Sequence, residues 1–326
     1  MTKPLRSVEQ RLSIGGSGES LPQVAIIVVH WSGIEDTVEC LISLFEIDYP
    51  FLRVVLVNNG SADFDEMRVR HAYPEAQIVT SSENLGFSGG YNLGIAKSLD
   101  EGADLVFLLN NDTVVSPNLV WSLLPALRES EVGIVGPVIE HYYAPDRIWF
   151  AGGQYSQLLG CSYRSRPLAA FDGNRTVDWI NGCAMLARRE VFEAIGVLWD
   201  PFFLNCEDLD FCLSAAESGY RCLLVGRPLV RHKVSASGGI RGTDQLSSGK
   251  AYYFARNAFH VLRRHASGVW AVTGMLGQFA VAFPYWALHC IMARNPQVIR
   301  DYLNGMWDGI LGRTGQRPGT DNSQTS

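Results

Sequence analysis

The sequence predicts an α/β fold built on a mostly parallel, doubly wound sheet, and three features carry that expectation. The first strong strand signal, Val24-Ala25-Ile26-Ile27-Val28-Val29, is an unbroken apolar run rich in β-branched residues, as a strand buried on both faces requires. Strand-like runs then alternate with helix-like segments, the rhythm of βαβ units. Of the 326 residues 47% are apolar, which supplies a large core and excludes a disordered chain.

The elements follow in order. Residues 35–47 place Val38, Leu41, Ile42 and Phe45 at helical spacing. A second buried strand spans 53–57 and stops at the turn cluster Asn58-Asn59-Gly60-Ser61. The unit repeats as a strand at 77–80, a glycine-rich loop at 84–90, a helix at 91–99 and a strand at 105–109. Between 131 and 175, Gly, Pro, Tyr and Arg interrupt short strand-like runs, so this stretch is expected as loop over the sheet edge. Regular structure resumes over 181–195, continues as a helix at 207–218 and gives a last strand near 221–225.

Flanking segments have a different character. Residues 1–22 are polar, lack an apolar leader and are expected as a flexible tail, as are residues 313–326. The α/β domain is placed at 23–265 and a C-terminal apolar helical extension at 266–312. Residues 269–293 carry no charged side chain and are long enough to cross a bilayer, but Gln278, Pro284 and His289 interrupt them. Arg263, Arg264 and Arg294 flank the segment, which suits snorkelling at a headgroup layer. In-plane or re-entrant membrane contact is the first reading, with a full span or a buried helical pair as alternatives. The seven cysteines form no CxxC pair and are odd in number, so reduced thiols and a cytoplasmic location are expected. A formal charge of −6 argues against a protein that coats nucleic acid. It leaves room for a small anionic ligand held by a metal and backbone amides.

In parallel α/β sheets, ligands gather at the carboxyl ends of strands. Four polar clusters fall at such ends: His30-Trp31, Asn58-Asn59, Asn84 with its glycine loop, and Asn110-Asn111-Asp112. Asp112 leaves a hydrophobic strand, where it either caps the next helix or gives one oxygen to a cation bridging two phosphates. The loop with Gly86, Gly89 and Gly90 allows close backbone approach to a nucleotide and opens a helix whose amides favour anions; a tight turn is the alternative. Glu207, Asp208 and Asp210 crowd a helix start beside the aromatic Trp199-Asp200-Pro201-Phe202-Phe203. They are either solvated cap residues or acids whose pKa burial raises towards general-base duty. His232 follows the last strand and is a second candidate metal ligand beside Asp112. Ser235, Ser237, Gly238 and Gly239 make a segment able to close over a diphosphate.

Taken in order, these residues resemble the family 2 glycosyltransferases of GT-A fold, within them the bacterial rhamnosyltransferase-like branch. The matching stretches are 28–31, 57–61, 84–94, 109–113, 181–186, 207–211, 232–239 and 252–257, which together cover roughly residues 23–260. The resemblance implies a Rossmann-like GT-A sheet in which Asn58 and the backbone near His30 hold the base and ribose. Asn84, Gly86, Gly90, Asn110 and Asn111 line the donor pocket in this reading, and Ser235, Ser237 and Gly238 form the diphosphate loop. Asp112 matches the last acid of the family's DxD metal motif and His232 its distal ligand, for Mg²⁺ or Mn²⁺. Asp208 matches the catalytic base, with Trp179, Asn181, Gly182, Glu207 and Arg256 on the acceptor side. Asn58 stands where aspartate is common, Asn110 replaces the first acid of DxD, and His30-Trp31 replaces the more frequent Tyr-Asn.

What the resemblance implies is an inverting, metal-dependent transfer of a sugar from a nucleotide diphosphate to an acceptor hydroxyl. The expected donor is dTDP-L-rhamnose and the acceptor a glycan or lipid-linked glycan, handled at the inner face of the cytoplasmic membrane. A nucleotidyltransferase-like enzyme and a non-catalytic nucleotide-sugar-binding protein of the same fold are the competing readings.

Overall fold

The computed structural model describes residues 20–164, 173–234, 248–292 and 296–317. The first half of the chain lays down β1 (Val24–His30), α1 (Ile34–Phe45), β2 (Leu52–Asn59), α2 (Glu66–Ala72), β3 (Gln77–Ser81), α3 (Gly86–Asp100) and β4 (Leu105–Asn110). Then come β5 (Thr113–Val115), α4 (Leu119–Leu123), β6 (Val132–His141), β7 (Ala144–Phe150), β8 (Gly153–Ser156), β9 (Cys161–Arg164) and β10 (Arg175–Val177). The second half continues with β11 (Ala184–Arg188), α5 (Arg189–Ile195), α6 (Glu207–Glu217) and β12 (Arg221–His232). Four helices close it: α7 (Ser248–His265), α8 (Val269–Gly277), α9 (Phe283–Met292) and α10 (Pro296–Ile310).

The main sheet runs β10-β12-β6-β11-β4-β1-β2-β3, with β5 and β7 added at β12 and β6. Strands β3, β2, β1 and β4 are parallel, and β11 enters antiparallel between β4 and β6. Burial on both faces explains the continuous apolar runs of β1 and β4. Register then fixes the working edge: His30 lies opposite Asn58, and Val29 opposite Asn110. The polar clusters that end these strands are therefore neighbours in space.

Two elements differ from expectation. Residues 132–141, read as loop, form the ten-residue strand β6 inside the sheet. Its glycines answer to packing rather than to turns: a Cβ at Gly133 would lie 2.6 Å from Val191 Cγ2, and one at Gly136 2.3 Å from Ile180 Cγ2. The last strand also runs past 225 to His232, crossing irregularities between Val225 and Val230, and its end pairs with β5. Helix α3 starts at Gly86, so the glycine loop is its first turn.

Helix α10 packs against α7 at close range, because a Cβ at Gly305 would lie 2.1 Å from the Tyr252 carbonyl oxygen. Helices α8 and α9 join through a π-type turn at Gln278–Ala282. Among the described residues they provide one helix, Val269–Leu288, long and apolar enough to cross a membrane, and it is mostly unburied. Val272 and Leu276 are each more than 60% exposed. Arg313 and Arg317, placed in the tail by sequence, make ion pairs with Asp308 and Asp301 at 2.7 Å. The described cysteines are free thiols.

Gly94 on α3 tests how tightly the helices sit on the sheet. Alanine there gains about 1 kcal/mol of helix propensity, but its Cβ would fall 2.3 Å from Ile27 Cγ2 in the core. Overpacking of this kind costs about 1–3 kcal/mol and wins. Gly94→Ala is expected to lower stability by about 1–2 kcal/mol in urea unfolding, and a gain in stability would refute the close packing.

Candidate functional site

The carboxyl edge of the sheet opens into a cleft of about 1280 Å³. The ends of β3 and β4 give it Asn84, Gly86, Asn110, Asn111 and Asp112. The loop before β11 gives Trp179, Asn181 and Gly182, the start of α6 gives Glu207 and Asp208, and the end of β12 gives His232. Asp112, Asp208 and His232, far apart in sequence, thus face one space. Ser235, Ser237 and Gly238 lie outside the described residues.

Four sequence candidates are placed elsewhere. His30 is fully buried beneath the cleft, with Nδ1 2.7 Å from Thr37 Oγ1 and Nε2 3.1 Å from Asp63 Oδ1. Asp63 in turn accepts from the Gly33 and Ile34 amides at 2.9 and 3.2 Å, tying β1 to the start of α1. Burial lowers the His30 pKa, against the pull of Asp63. Asn58 accepts from the Ser61 amide at 3.1 Å and shapes the turn. Its neighbour Asn59 lines the cleft and braces the glycine loop, donating to Asn84 Oδ1 and the Gly86 carbonyl and accepting from the Leu85 amide. Gly90 is spacing rather than lining, since a Cβ would lie 2.9 Å from Val29 Cγ1 and 3.0 Å from Asn59 Nδ2.

Arg256 is the clearest displacement. Its guanidinium is buried, and it donates to the carbonyls of Phe202 at 2.7 Å and Pro201 at 3.3 Å, and to that of Gly315. Asn257 beside it donates to the carbonyls of Phe202, Leu204 and Asn205 at 3.0, 2.8 and 2.8 Å. The clasped loop contains Phe203, Asn205 and Cys206, all at positive φ between 64° and 72°. It feeds directly into Glu207 and Asp208. These two residues hold the acidic end of α6 in place from behind. Asn257 carried a sequence signal, in the Tyr252-Tyr253-Phe254-Ala255-Arg256-Asn257 stretch, but a side chain acting on carbonyls leaves no spacing to read.

Electrostatics separate the acids. Asp210 points away, pairing with Arg264 at 2.6 Å and His265 at 2.8 Å. Asp208 is half-buried; its Oδ2 accepts from the Gly182 amide at 3.0 Å and its Oδ1 from the Leu209 amide at 2.8 Å. Desolvation raises its pKa, opposed by those two amides. Glu207 is buried more deeply, and its pKa rises well above the carboxylate range through desolvation first and the adjacent Asp208 second.

Asp112 and His232 suit one cation. Strand β12 pairs His232 with Thr113, and Asp112 Oδ1 sits 3.0 Å from His232 Nε2. Both are under 10% exposed. A carboxylate oxygen and an imidazole nitrogen at that separation can bind the same divalent ion. Among the described residues no group of three or more His, Cys, Asp or Glu gathers as a full metal cage. Phosphate oxygens of a ligand would supply the remaining positions.

The profile of the glycosyltransferase-like family 2 matches residues 22–245, and the chain belongs to that family. It is 27% identical over 205 residues to a low-salt glycan biosynthesis hexosyltransferase, Agl10, of Haloferax volcanii. That match covers 60% of this chain and 62% of the relative, less than two thirds of its length. An N-acetylglucosaminyl-diphospho-decaprenol L-rhamnosyltransferase of Mycobacterium tuberculosis is 26% identical over 245 residues, covering 67% of this chain and 76% of that one. Among solved structures, a mannosyltransferase of Pyrobaculum calidifontis in complex with GDP-Man and Mn²⁺ has a TM-score of 0.55 at 16% identity, covering 89% and 88% of the two chains. It supports the GT-A fold.

Glu207 gives a pH test of the acidic wall. Its folded-state pKa lies above the unfolded value, so the wild type loses stability as pH rises from the unfolded pKa towards the folded one. Glutamine does not titrate. Glu207→Gln is therefore expected to have little advantage near pH 4 and a growing one up to pH 8, read as melting temperature. A pH-independent difference would contradict the buried, raised acid.

Proposed function

We propose that the chain is a metal-dependent inverting glycosyltransferase that moves L-rhamnose from dTDP-L-rhamnose to a hydroxyl of a glycan or lipid-linked glycan. One observation carries this: a single cleft is lined by the Asp112–His232 pair and by an oriented, half-buried Asp208. A donor diphosphate belongs at the first and an acceptor hydroxyl at the second. The similarity to an N-acetylglucosaminyl-diphospho-decaprenol L-rhamnosyltransferase favours a rhamnosyl donor and a lipid-linked acceptor.

The amides of Gly182 and Leu209 fix the Asp208 carboxylate, leaving lone pairs free towards the cleft. Asp208 takes the acceptor hydroxyl proton as that oxygen bonds to the anomeric carbon, opposite the breaking bond to the diphosphate oxygen. The sugar passes through an oxocarbenium-like state, as in glycoside hydrolysis. One base and one displacement give inversion. Held by Asp112 and His232, Mg²⁺ or Mn²⁺ would neutralise charge on the departing diphosphate. Asn84, Asn59 and Gly86 shape the wall on the nucleotide side in this reading.

The start of α9 and the turn before it line the cleft through Gln278, Val281, Ala282, Tyr285 and Trp286, and of these Val281 and Tyr285 belong to the exposed apolar side. In this reading that face rests on the inner leaflet of the cytoplasmic membrane, where a lipid-linked acceptor meets the site.

Asp208→Asn is expected to cut transfer at least a thousandfold while leaving dTDP affinity within a few-fold, measured by dTDP release and by calorimetry. Near wild-type turnover would remove Asp208 from the reaction. The acid limb of kcat/KM in the wild type should lie above the ordinary aspartate value, because burial raises the base and only its ionised form accepts a proton. Asp112→Ala should weaken Mn²⁺-dependent dTDP binding about tenfold or more, and EDTA should do the same to the wild type. Affinity indifferent to both would refute the metal site.

A further inference from the structure

We infer that Trp149 is a positioning residue whose indole, packed edge-to-face on His232, holds that imidazole turned towards Asp112. This role rests on the reading of Asp112 and His232 as a metal pair. No sequence motif indicated Trp149.

Strand pairing fixes where His232 stands, but an imidazole still turns about its Cβ–Cγ bond, a broad and nearly two-fold torsion. In metal-binding histidines a hydrogen bond from the second ring nitrogen ordinarily stops that motion. Here Nε2 lies 3.0 Å from Asp112 Oδ1, while the buried Nδ1 finds no hydrogen-bond partner among the described residues. The ring packs instead against Trp149, with the two centroids 4.4 Å apart and the planes at 75°. Edge-to-face pairs stabilise beyond the area they bury, and turning either ring forfeits that geometry.

Strand β7 is bent to deliver the indole. It pairs with β6 through Ile139–Phe150 and Glu140–Ile148, one step on β6 against two on β7, so Trp149 is the extra residue of a bulge. A bulge re-aims the side chain it carries, and β6 is also the strand that sets His141 opposite His232. Arg164, at the end of β9, secures the indole from the hairpin. Its guanidinium lies over the ring at 4.6 Å from the centroid, and Nη1 donates to the Trp149 carbonyl at 3.3 Å. Trp149, Arg164 and His232 all line the cleft.

The chemistry of an indole narrows the role. It offers an N–H donor and no lone pair, so it neither ligates a cation nor takes a proton from a hydroxyl. Its effect on a cation passes through His232. Phenylalanine at 149 keeps an edge-to-face partner for the imidazole, whereas a small or aliphatic side chain does not. Losing the partner that orients a ligating histidine weakens metal binding about 10–100-fold.

The test uses the full chain and the gain that Mn²⁺ gives to dTDP affinity, from calorimetry with Mn²⁺ and with EDTA. Trp149→Ala should cut that gain about tenfold while leaving affinity in EDTA within about twofold. Trp149→Phe should keep the gain within about threefold of the wild type. Trp149→Leu, which retains apolar bulk without a ring, should fall with the alanine variant and carries the test if that variant does not fold. Metal-free protein with ¹⁵N-labelled histidine gives a second readout, the His232 Nε2–H proton bonded to Asp112, assigned by His232→Gln. That signal should be present in the wild type and Trp149→Phe, and lost to solvent exchange in the alanine and leucine variants. A gain unchanged without the ring, an equal loss in Trp149→Phe or in EDTA, or an Nε2–H signal absent from the wild type or surviving without the ring would overturn the inference. No gain from Mn²⁺ in the wild type would instead count against the metal reading, and the Nε2–H signal then decides the orienting role by itself.

Discussion

A short antiparallel pairing governs the whole site: the last residues of β12 lie against β5, with His232 opposite Thr113. Backbone hydrogen bonds, including Lys233 N to the Asp112 carbonyl at 3.0 Å, set two segments more than a hundred residues apart into fixed register. The side chains of Asp112 and His232 then have little freedom but to meet. Lys233, the next residue, is itself buried and reaches Asp36 and Glu39 on α1, so the strand end is anchored to the helix after β1 as well. The proposed two-ligand metal site would depend on such rigidity, because a ligand left loose forfeits much of its binding to side-chain entropy.

The opposite wall is held by another means. Among the described residues no sheet hydrogen bonds reach the turn before α6, and its backbone occupies strained territory at Phe203, Asn205 and Cys206. Arg256 and Asn257 compensate from α7 by taking up its carbonyls. Phe203 also braces the glycine-loop wall: its carbonyl accepts from Phe87 N at 2.6 Å, and Gly86 leaves room for that approach. Glycine-loop wall, acid wall and C-terminal helices are consequently one mechanical unit.

Much of this was legible in the chain itself. Apolar β-branched runs gave away β1, β2 and β4, because a strand buried on both faces tolerates little else. The polar residues that follow them had to cluster once those strands were parallel and in register. What stayed hidden depends on partners distant in sequence. Gly133 and Gly136 look like turn residues until Val191 and Ile180 are seen pressing on them. His30 reads as a pocket residue until Asp63 and Thr37 are found on either side of its ring. Arg256 advertises charge, yet three of its acceptors are the backbone carbonyls of Gly315, Pro201 and Phe202, which no residue type announces. Trp149 sits in the segment that resembled loop and gave no periodic signal.

The tip of the β8–β9 hairpin seats directly on α8. A Cβ at Gly160 would lie 2.7 Å from the Gly274 carbonyl, one at Gly277 2.3 Å from that of Leu159, and the Gln278 amide bonds the Gly160 carbonyl. The apolar helices therefore cannot be regarded as a detachable foot beneath an independent enzyme. Trimming the chain after α7, a natural way to make it more soluble, would remove part of the chamber wall and unseat the hairpin that carries Arg164.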